Sequence, residues 1–127
     1  MSGRQHKPAA ARAIRVAEQI HQELAQLVRS EVKDPGLGMV TLTGIDLTAD
    51  YAYATVHFTV LPDDAAAVAR TEAALKRAAH FLRMQLGERI RVHTTPQLKF
   101  VLDRSIEQGI AMSRLIDQAN ATRAQED

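Results

Sequence analysis

Residues 51 to 60 alternate between two kinds of side chain, and this alternation constrains the fold more than any other stretch of the chain. One set of positions holds only apolar side chains, namely Ala52, Ala54, Val56, Phe58 and Val60. Because successive side chains of a strand point to opposite faces, the pattern predicts a strand with one buried face. A face of this kind must be covered by a second layer of structure.

The preceding stretch changes the parity of its apolar positions. Val40 and Leu42 are followed by Ile45 and Leu47, with Gly44 at the change. One extra residue in a strand reverses the alternation, so a β-bulge at Gly44 would keep both pairs on the core side. The polar residues that follow can turn the chain, and the two strands are therefore predicted to form a hairpin.

Two longer stretches have the period of amphipathic helices. The first has an apolar row of Val16, Ile20, Leu24 and Leu27, and the turn residues from Asp34 to Gly38 end it. The second starts after Pro62, where acids suit the positive end of a helix dipole. Its apolar row is Val68, Leu75, Ala79, Leu82 and Leu86, and Gly87 predicts a stop or a kink.

A third strand and a last helix complete the chain. Leu98, Phe100 and Leu102 alternate, and Ser105 and Gln108 have the spacing of a capping box. The order helix, strand, strand, helix, strand, helix predicts one α+β domain with a small mixed sheet and a right-handed crossover. We expect a flexible basic arm at 1–11, a domain at 12–117 and a frayed tail at 118–127.

Composition limits the classes of protein that this chain can belong to. The 127 residues suit one domain, and the 46% apolar share is typical of a globular protein. The sequence has no cysteine, no apolar run of membrane-spanning length and no secretory leader pattern. These features favour a cytoplasmic protein without a disulfide framework.

Charge is divided unevenly along the chain. Residues 1–30 hold five Arg or Lys against two acids, 31–64 hold one against six, and 65–99 hold seven against two. The division favours a molecule with one basic and one acidic surface, which would bind a polyanion in a fixed orientation. The alternative is that these charges mix in space as ordinary solvated helix faces.

The sequence contains no pattern that indicates catalysis or a bound metal. The aspartates flank strands and turns, where turn chemistry explains them, and the five histidines lack the spacing of ligands. No nucleophile elbow, cysteine nucleophile or phosphate-binding glycine loop is present. We therefore predict no catalytic residues, no metal and no cofactor.

The basic residues point instead to a nucleic acid. Long cationic side chains neutralise phosphates and release counterions, so a cluster of them on one helix and a neighbouring arm predicts RNA binding. All three phenylalanines, Phe58, Phe81 and Phe100, are expected in the core, so stacking of unpaired bases is not indicated. The candidate RNA-binding residues are Arg4, Lys7, Arg12, Arg15, Lys76, Arg77, His80, Arg83, Arg89 and Arg91.

Three stretches resemble the ribosome-binding factor A family of bacteria. They are RVAEQIHQEL (15 to 24), KDPGLGMVTLTGIDLTADYAYATVHFTVL (33 to 61) and FLRMQLGERIRVHTTPQLKFVLDRSIEQG (81 to 109), and the resemblance runs from about Arg12 to Ile116. It implies a type II K-homology domain whose second helix is kinked at Ala-x-Gly, here Ala78, Ala79 and His80. The histidine replaces the glycine, so a strained or interrupted turn is expected there.

The resemblance also implies what such a protein does. It would be a monomeric, non-catalytic assembly factor that binds the free 30S ribosomal subunit and 16S rRNA, with no DNA or membrane partner. It would assist late rRNA processing near the 5′ end and matter most in the cold. The residues alone leave two alternatives open: a general RNA-binding module, and an adaptor that dimerises through the Ala-rich helix.

Overall fold

The computed structural model describes the backbone of residues 2–90 and 94–126 and the side chains of residues 11–90 and 94–123. Within these residues, three helices and three strands follow one another. They are α1 (Ser2–Ser30), β1 (Met39–Leu47), β2 (Tyr53–Leu61), α2 (Ala65–Arg89), β3 (Gln97–Leu102) and α3 (Ser105–Glu126). The predicted α+β class and the order of elements are confirmed, and the order through β3 is that of a type II K-homology domain.

The sheet has the order β1-β2-β3, with β1 antiparallel and β3 parallel to the central strand. The predicted bulge is present, because the register of β1 against β2 shifts between Leu42 and Gly44. The alternation of β2 is also confirmed, since Ala54, Val56 and Phe58 are fully buried. The sheet is therefore mixed and buries one face, as the alternation predicted.

The strand β2 begins two residues later than its alternation suggested. Tyr51 has a φ of 62° and belongs to the hairpin turn. The carboxylate of Asp50 holds this turn, because its Oδ1 accepts hydrogen bonds from Thr48 Oγ1 at 2.7 Å and from the Ala52 backbone N–H at 3.1 Å. Turn chemistry thus overrides the strand pattern at these two positions.

The helices α1 and α2 cover the buried face of the sheet. Their apolar rows meet β2 in one core, whose largest fully buried side chains include Ile20, Leu24, Leu27, Phe58, Leu75, Leu82 and Leu86. Side chains of this size contribute about 1.5 to 3 kcal/mol each when removed from water. The core fixes the orientation of α2, and α2 carries five of the ten candidate RNA-binding residues.

The helix α2 starts and ends close to its predicted limits. Asp64 is the N-cap, and its Oδ1 accepts the Ala67 N–H at 2.8 Å. The expected interruption at Ala78, Ala79 and His80 is wrong, because α2 is continuous from Ala65 to Arg89. Histidine lacks the conformational freedom of glycine, and the regular helix already places the apolar row of α2 on the sheet. Gly87 does not stop the helix either.

The two ends of the chain are more helical than expected. The helix α1 begins at Ser2, inside the expected arm, and α3 runs to Glu126, through the expected tail. Every described side chain of α3 is exposed, including Ile110 and Leu115. At the start of α3 the carboxylate of Asp103 accepts the Ser105 N–H at 2.9 Å in place of the expected capping box.

Candidate nucleic-acid interface

The helix α2 separates two concave surfaces of the domain. On one side, α2 and β3 enclose a surface that we call the β3 groove. On the other, α2 faces the segment between α1 and β1 across a surface that we call the α1–β1 pocket. The predicted cluster of cations on α2 is therefore divided between two surfaces, because Lys76 lines the β3 groove and its neighbour Arg77 lines the α1–β1 pocket.

The β3 groove is basic and has a volume of about 420 Å³. Lys76, Lys99 and Arg104 line it against a single acid, Glu72. Among the described strands β3 pairs only with β2, so the backbone groups of its outer edge have no strand partner. An extended polyanion fits such a surface, since the cations neutralise phosphates and the free strand edge supplies N–H donors.

A network at the end of β3 holds the position of Arg104. The Thr43 hydroxyl, at the bulge of β1, donates to Asp103 Oδ2 at 2.6 Å. This bond, together with those from Ser105, lowers the pKa of Asp103 from 3.8 to about 2. The next residue, Arg104, has its Nη1 atom 3.8 Å from the exposed Glu107 Oε2. Such an exposed pair contributes little, so Arg104 can exchange it for a phosphate.

Three of the predicted RNA-binding arginines already hold the domain together. Arg77 Nε and Nη2 donate to Asp34 Oδ2 and Oδ1 at 2.9 and 3.0 Å. Arg83 Nε and Nη2 donate to the Thr95 carbonyl oxygen at 3.3 and 3.0 Å. Arg89 Nη1 donates to the Glu23 Oε2 atom of α1 at 3.1 Å.

These contacts change the roles of the three arginines. Arg83 fixes the loop that leads into β3, and Arg89 joins α2 to Glu23 of α1. A guanidinium that is committed to a protein oxygen has fewer donors left for phosphate. These bonds occupy donors of all three arginines, and their part in RNA binding stays a prediction.

The remaining predicted residues are described only in part. Lys76 and His80 are exposed on α2, and Arg12 and Arg15 are exposed on α1. Their part in RNA binding stays a prediction. The side chains of Arg4 and Lys7, and residue Arg91, lie outside the described residues.

Sequence reasoning missed two cations of the β3 groove. Lys99 lies in β3, and the prediction of that strand used only the apolar side chains of its opposite face. Arg104 lies in the connection to α3. The alternation of β3 does place Lys99 opposite to Leu98 and Phe100, so an outward side chain was foreseeable. Its proximity to Lys76 required the parallel pairing of β3 beside α2.

The α1–β1 pocket contains an aromatic ring that we expected in the core. Phe81 is 42% exposed, so its core assignment is wrong. It follows Arg77 by one helical turn and lines the same cavity. Phe58 is buried as predicted, and Phe100 is half-buried against the core.

Neither a metal site nor a membrane-spanning helix has a candidate in the described part of the chain. Within it, no three histidine or acidic side chains lie close enough together to hold a metal ion. None of its helices is both long and apolar enough to cross a bilayer. The fold and the groove thus define a small α+β domain of K-homology type with a basic surface along an edge strand.

Comparison with known proteins assigns the family. The family model for ribosome-binding factor A matches residues 12–116. The ribosome-binding factor A of Dechloromonas aromatica is 54% identical over 110 residues, covering 87% of this chain and 88% of the relative. That of Ralstonia nicotianae is 48% identical over 122 residues, covering 94% of each. The chain belongs to the ribosome-binding factor A family.

Solved structures agree with this assignment. The crystal structure of ribosome-binding factor A from Thermus thermophilus has a TM-score of 0.63 at 25% identity, covering 73% of this chain and 98% of that one. The solution structure of a Thermotoga maritima protein described as a putative ribosome binding factor A has a TM-score of 0.67 at 27% identity, covering 77% and 92%.

A third similar structure comes from a complex. It is a homology model of the Thermus thermophilus factor fitted into a cryo-electron microscopy map of a 30S complex. Its TM-score is 0.57 at 26% identity, and the match covers 69% of this chain and 91% of that one.

Proposed function

We propose that this chain is a non-catalytic assembly factor that binds the free 30S subunit in the cytoplasm. Its ligand there is 16S rRNA, and the β3 groove is its main contact. Membership of the ribosome-binding factor A family supports binding to the 30S subunit, as does the similar structure that was fitted into a map of a 30S complex. The observation that carries the assignment of the β3 groove as the RNA contact is its set of three cations beside the free edge of β3.

The groove suits the RNA backbone better than it suits base edges. Lys76, Lys99 and Arg104 present charge, whereas a base reader needs planar donors or stacking surfaces. Contacts of this type favour one shape of the RNA over others without reading much sequence. We propose that this shape belongs to late maturation of 16S rRNA near its 5′ end, in line with the family resemblance.

Binding alone can assist RNA folding. A protein that binds one conformation of the RNA more tightly shifts the population towards it by its differential affinity. No chemical step is required, which agrees with a factor that is not an enzyme. A need for such assistance in the cold follows, since misfolded RNA rearranges slowly at low temperature.

Sedimentation with purified ribosomal particles tests the proposal. The protein should travel with free 30S subunits and stay behind when only intact ribosomes are present. The variant Lys76→Ala, Lys99→Ala, Arg104→Ala should lose most of this binding. A control variant, Arg29→Ala, Arg114→Ala, Arg123→Ala, removes the same charge from exposed positions elsewhere and should retain it.

The same experiment can reject the proposal. Equal loss in the two variants would mean that net charge and not the groove drives binding. Equal affinity for unrelated RNAs of similar length would indicate a general RNA-binding module. Dimerisation through α2 has less support, because Ala67 and Ala74 are buried inside its own domain. Sedimentation equilibrium should accordingly give the mass of a monomer.

A further inference from the structure

The α1–β1 pocket lies across α2 from the β3 groove and has the features of a second binding site. It is an open cavity of about 590 Å³. This volume is within the roughly 300 to 1,000 Å³ typical of small-ligand sites. Its walls are Glu31, Val32, Lys33, Asp34 and Pro35 on one side and Arg77, Ala78 and Phe81 on the other.

The guanidinium of Arg77 is held in one orientation. Its Nε and one Nη2 hydrogen bind the two oxygens of Asp34, and the Asp34 Oδ1 atom also accepts the Gly36 N–H at 2.9 Å. The Arg77 bonds, followed by the Gly36 bond, lower the pKa of the Asp34 carboxyl below its usual 3.8, so the pair stays ionised. A Cβ at Gly36 would lie 3.2 Å from Arg77 Nη2, a close contact that would require a small shift of the guanidinium.

Part of the Arg77 fork remains available to a ligand. A guanidinium has five N–H donors, and Asp34 uses two of them. The Nη1 hydrogens and the second Nη2 hydrogen have no acceptor among the described residues. One hydrogen on each of these nitrogens points in a common direction, and the side chain is 59% exposed. Arg77 thus presents two parallel donors.

Phe81 supplies an aromatic face beside these donors. The chain has only three phenylalanines and no tryptophan, and the ring of Phe81 is the most exposed of the three. Ala78, Val32 and Pro35 add apolar surface to the same cavity. A flat ligand can therefore stack on the ring while its edge reaches Arg77.

Charge in the pocket balances. Lys33 and Arg77 are offset by Glu31 and Asp34, so a phosphate gains little there, in contrast to the β3 groove. An aliphatic protein side chain would cover the Arg77 donors without bonding to them, and burying unsatisfied donors is unfavourable. A nucleobase provides both a π-face and acceptors.

We infer that the α1–β1 pocket binds one unpaired guanine of an RNA strand, stacked on Phe81 and bonded through its O6 and N7 atoms to the free edge of Arg77. Two adjacent acceptors are what a pair of parallel arginine donors recognises, and guanine is the base that presents them. The inference rests on the proposed function, since it adds base recognition to a protein that holds the RNA backbone in the β3 groove.

Tryptophan fluorescence tests the pocket without the ribosome. The variant Phe81→Trp creates the only tryptophan of the chain, and a stacked base should quench it. Titration with the pentaribonucleotide UUGUU should give binding at least fivefold tighter than titration with UUAUU, UUCUU or UUUUU, as one bidentate contact allows about this much discrimination. Amide shifts of Ala78 in the unmodified protein should show the same order.

Two further variants identify the contacts. Arg77→Lys keeps the charge but removes the planar fork, so binding of UUGUU should fall to the level of UUUUU. Met84→Trp leaves the pocket intact and places the fluorophore on an exposed position of α2 outside its lining, so UUGUU should not quench this tryptophan. A preference that survives Arg77→Lys would overturn the assignment.

The guanine site in the α1–β1 pocket and the RNA contact in the β3 groove can be refuted independently. The groove variant Lys76→Ala, Lys99→Ala, Arg104→Ala should lose the 30S subunit but keep its preference for UUGUU when Phe81→Trp is added. If none of the pentamers quenches the tryptophan while the parent still binds the 30S subunit, the guanine site is refuted and the proposed function is not. If Phe81→Ala weakens subunit binding in that case, the pocket meets a protein and the inference is wrong.

Discussion

The number of cations in the β3 groove sets how strongly salt should weaken binding. Each single-strand phosphate contact contributes roughly −0.7 to the slope of log affinity against log salt. Lys76, Lys99 and Arg104 should together contribute about −2 on this scale. Between about 50 and about 200 mM salt the parent should therefore lose roughly 20-fold more affinity than a variant without these three contacts.

Anisotropy of an amino-terminally labelled protein, titrated with 30S subunits at several salt concentrations, measures these slopes. The parent and the variant Lys76→Ala, Lys99→Ala, Arg104→Ala should differ by about 2 in slope. Arg77, Arg83 and Arg89 bond to protein oxygens and are not counted among these three contacts.

Equal slopes for parent and variant would refute the reasoning, since the groove would then hold no phosphate. The same conclusion would follow if Arg29→Ala, Arg114→Ala, Arg123→Ala changed the slope as much as the groove variant. Circular dichroism of all three proteins should show one fold, because the replaced side chains are exposed.

Four other outcomes are expected. Phe58→Ala should lower the free energy of unfolding by about 3 to 5 kcal/mol in urea titrations. Arg83→Glu should destabilise by roughly 1 to 2 kcal/mol, because two bonds to Thr95 are lost. Asp103 stabilises the fold above pH 3.8, and this contribution should disappear as the pH falls towards 2, so acid titrations of Asp103→Asn should lack it. His80→Glu should weaken 30S binding in the sedimentation assay through repulsion with phosphate, whereas His80→Gly should bind normally.

The sheet could be predicted from sequence because its determinants are local. The alternation of β2 depends only on the pleat, and the parity change around Gly44 depends only on counting residues. The start of α2 was equally accessible, since Asp64 caps its own helix. In each case the interacting groups lie within a few residues of one another.

The roles of the arginines could not be predicted in this way. Arg77 and Asp34 are 43 residues apart, and Arg89 and Glu23 are 66 apart. Helical periodicity places a side chain on a face but does not tell which segment lies opposite. The basic character of α2 was correct, whereas the division of its cations between two surfaces required the packing of α1 and β3 around it.

Phe81 shows a different limit. Its assignment to the core came from its residue type, although the apolar row of α2 runs through Leu75, Leu82 and Leu86. Phe81 precedes Leu82 and therefore lies about 100° around the helix from it. Periodicity alone would have placed the ring at the border of the core, where the structure has it.

The bulge in β1 has an unusual consequence for tolerance to deletion. Removing one residue from a strand normally turns every later side chain to the opposite face. Here the shift at Thr43 and Gly44 already compensates for one extra residue, so a chain that lacks Thr43 could pair regularly and still direct Ile45 and Leu47 inwards. What such a shortened strand would lack is the hydroxyl that binds Asp103. The extra residue thus serves the end of β3 and the placement of Arg104, and the hydrophobic core does not depend on it.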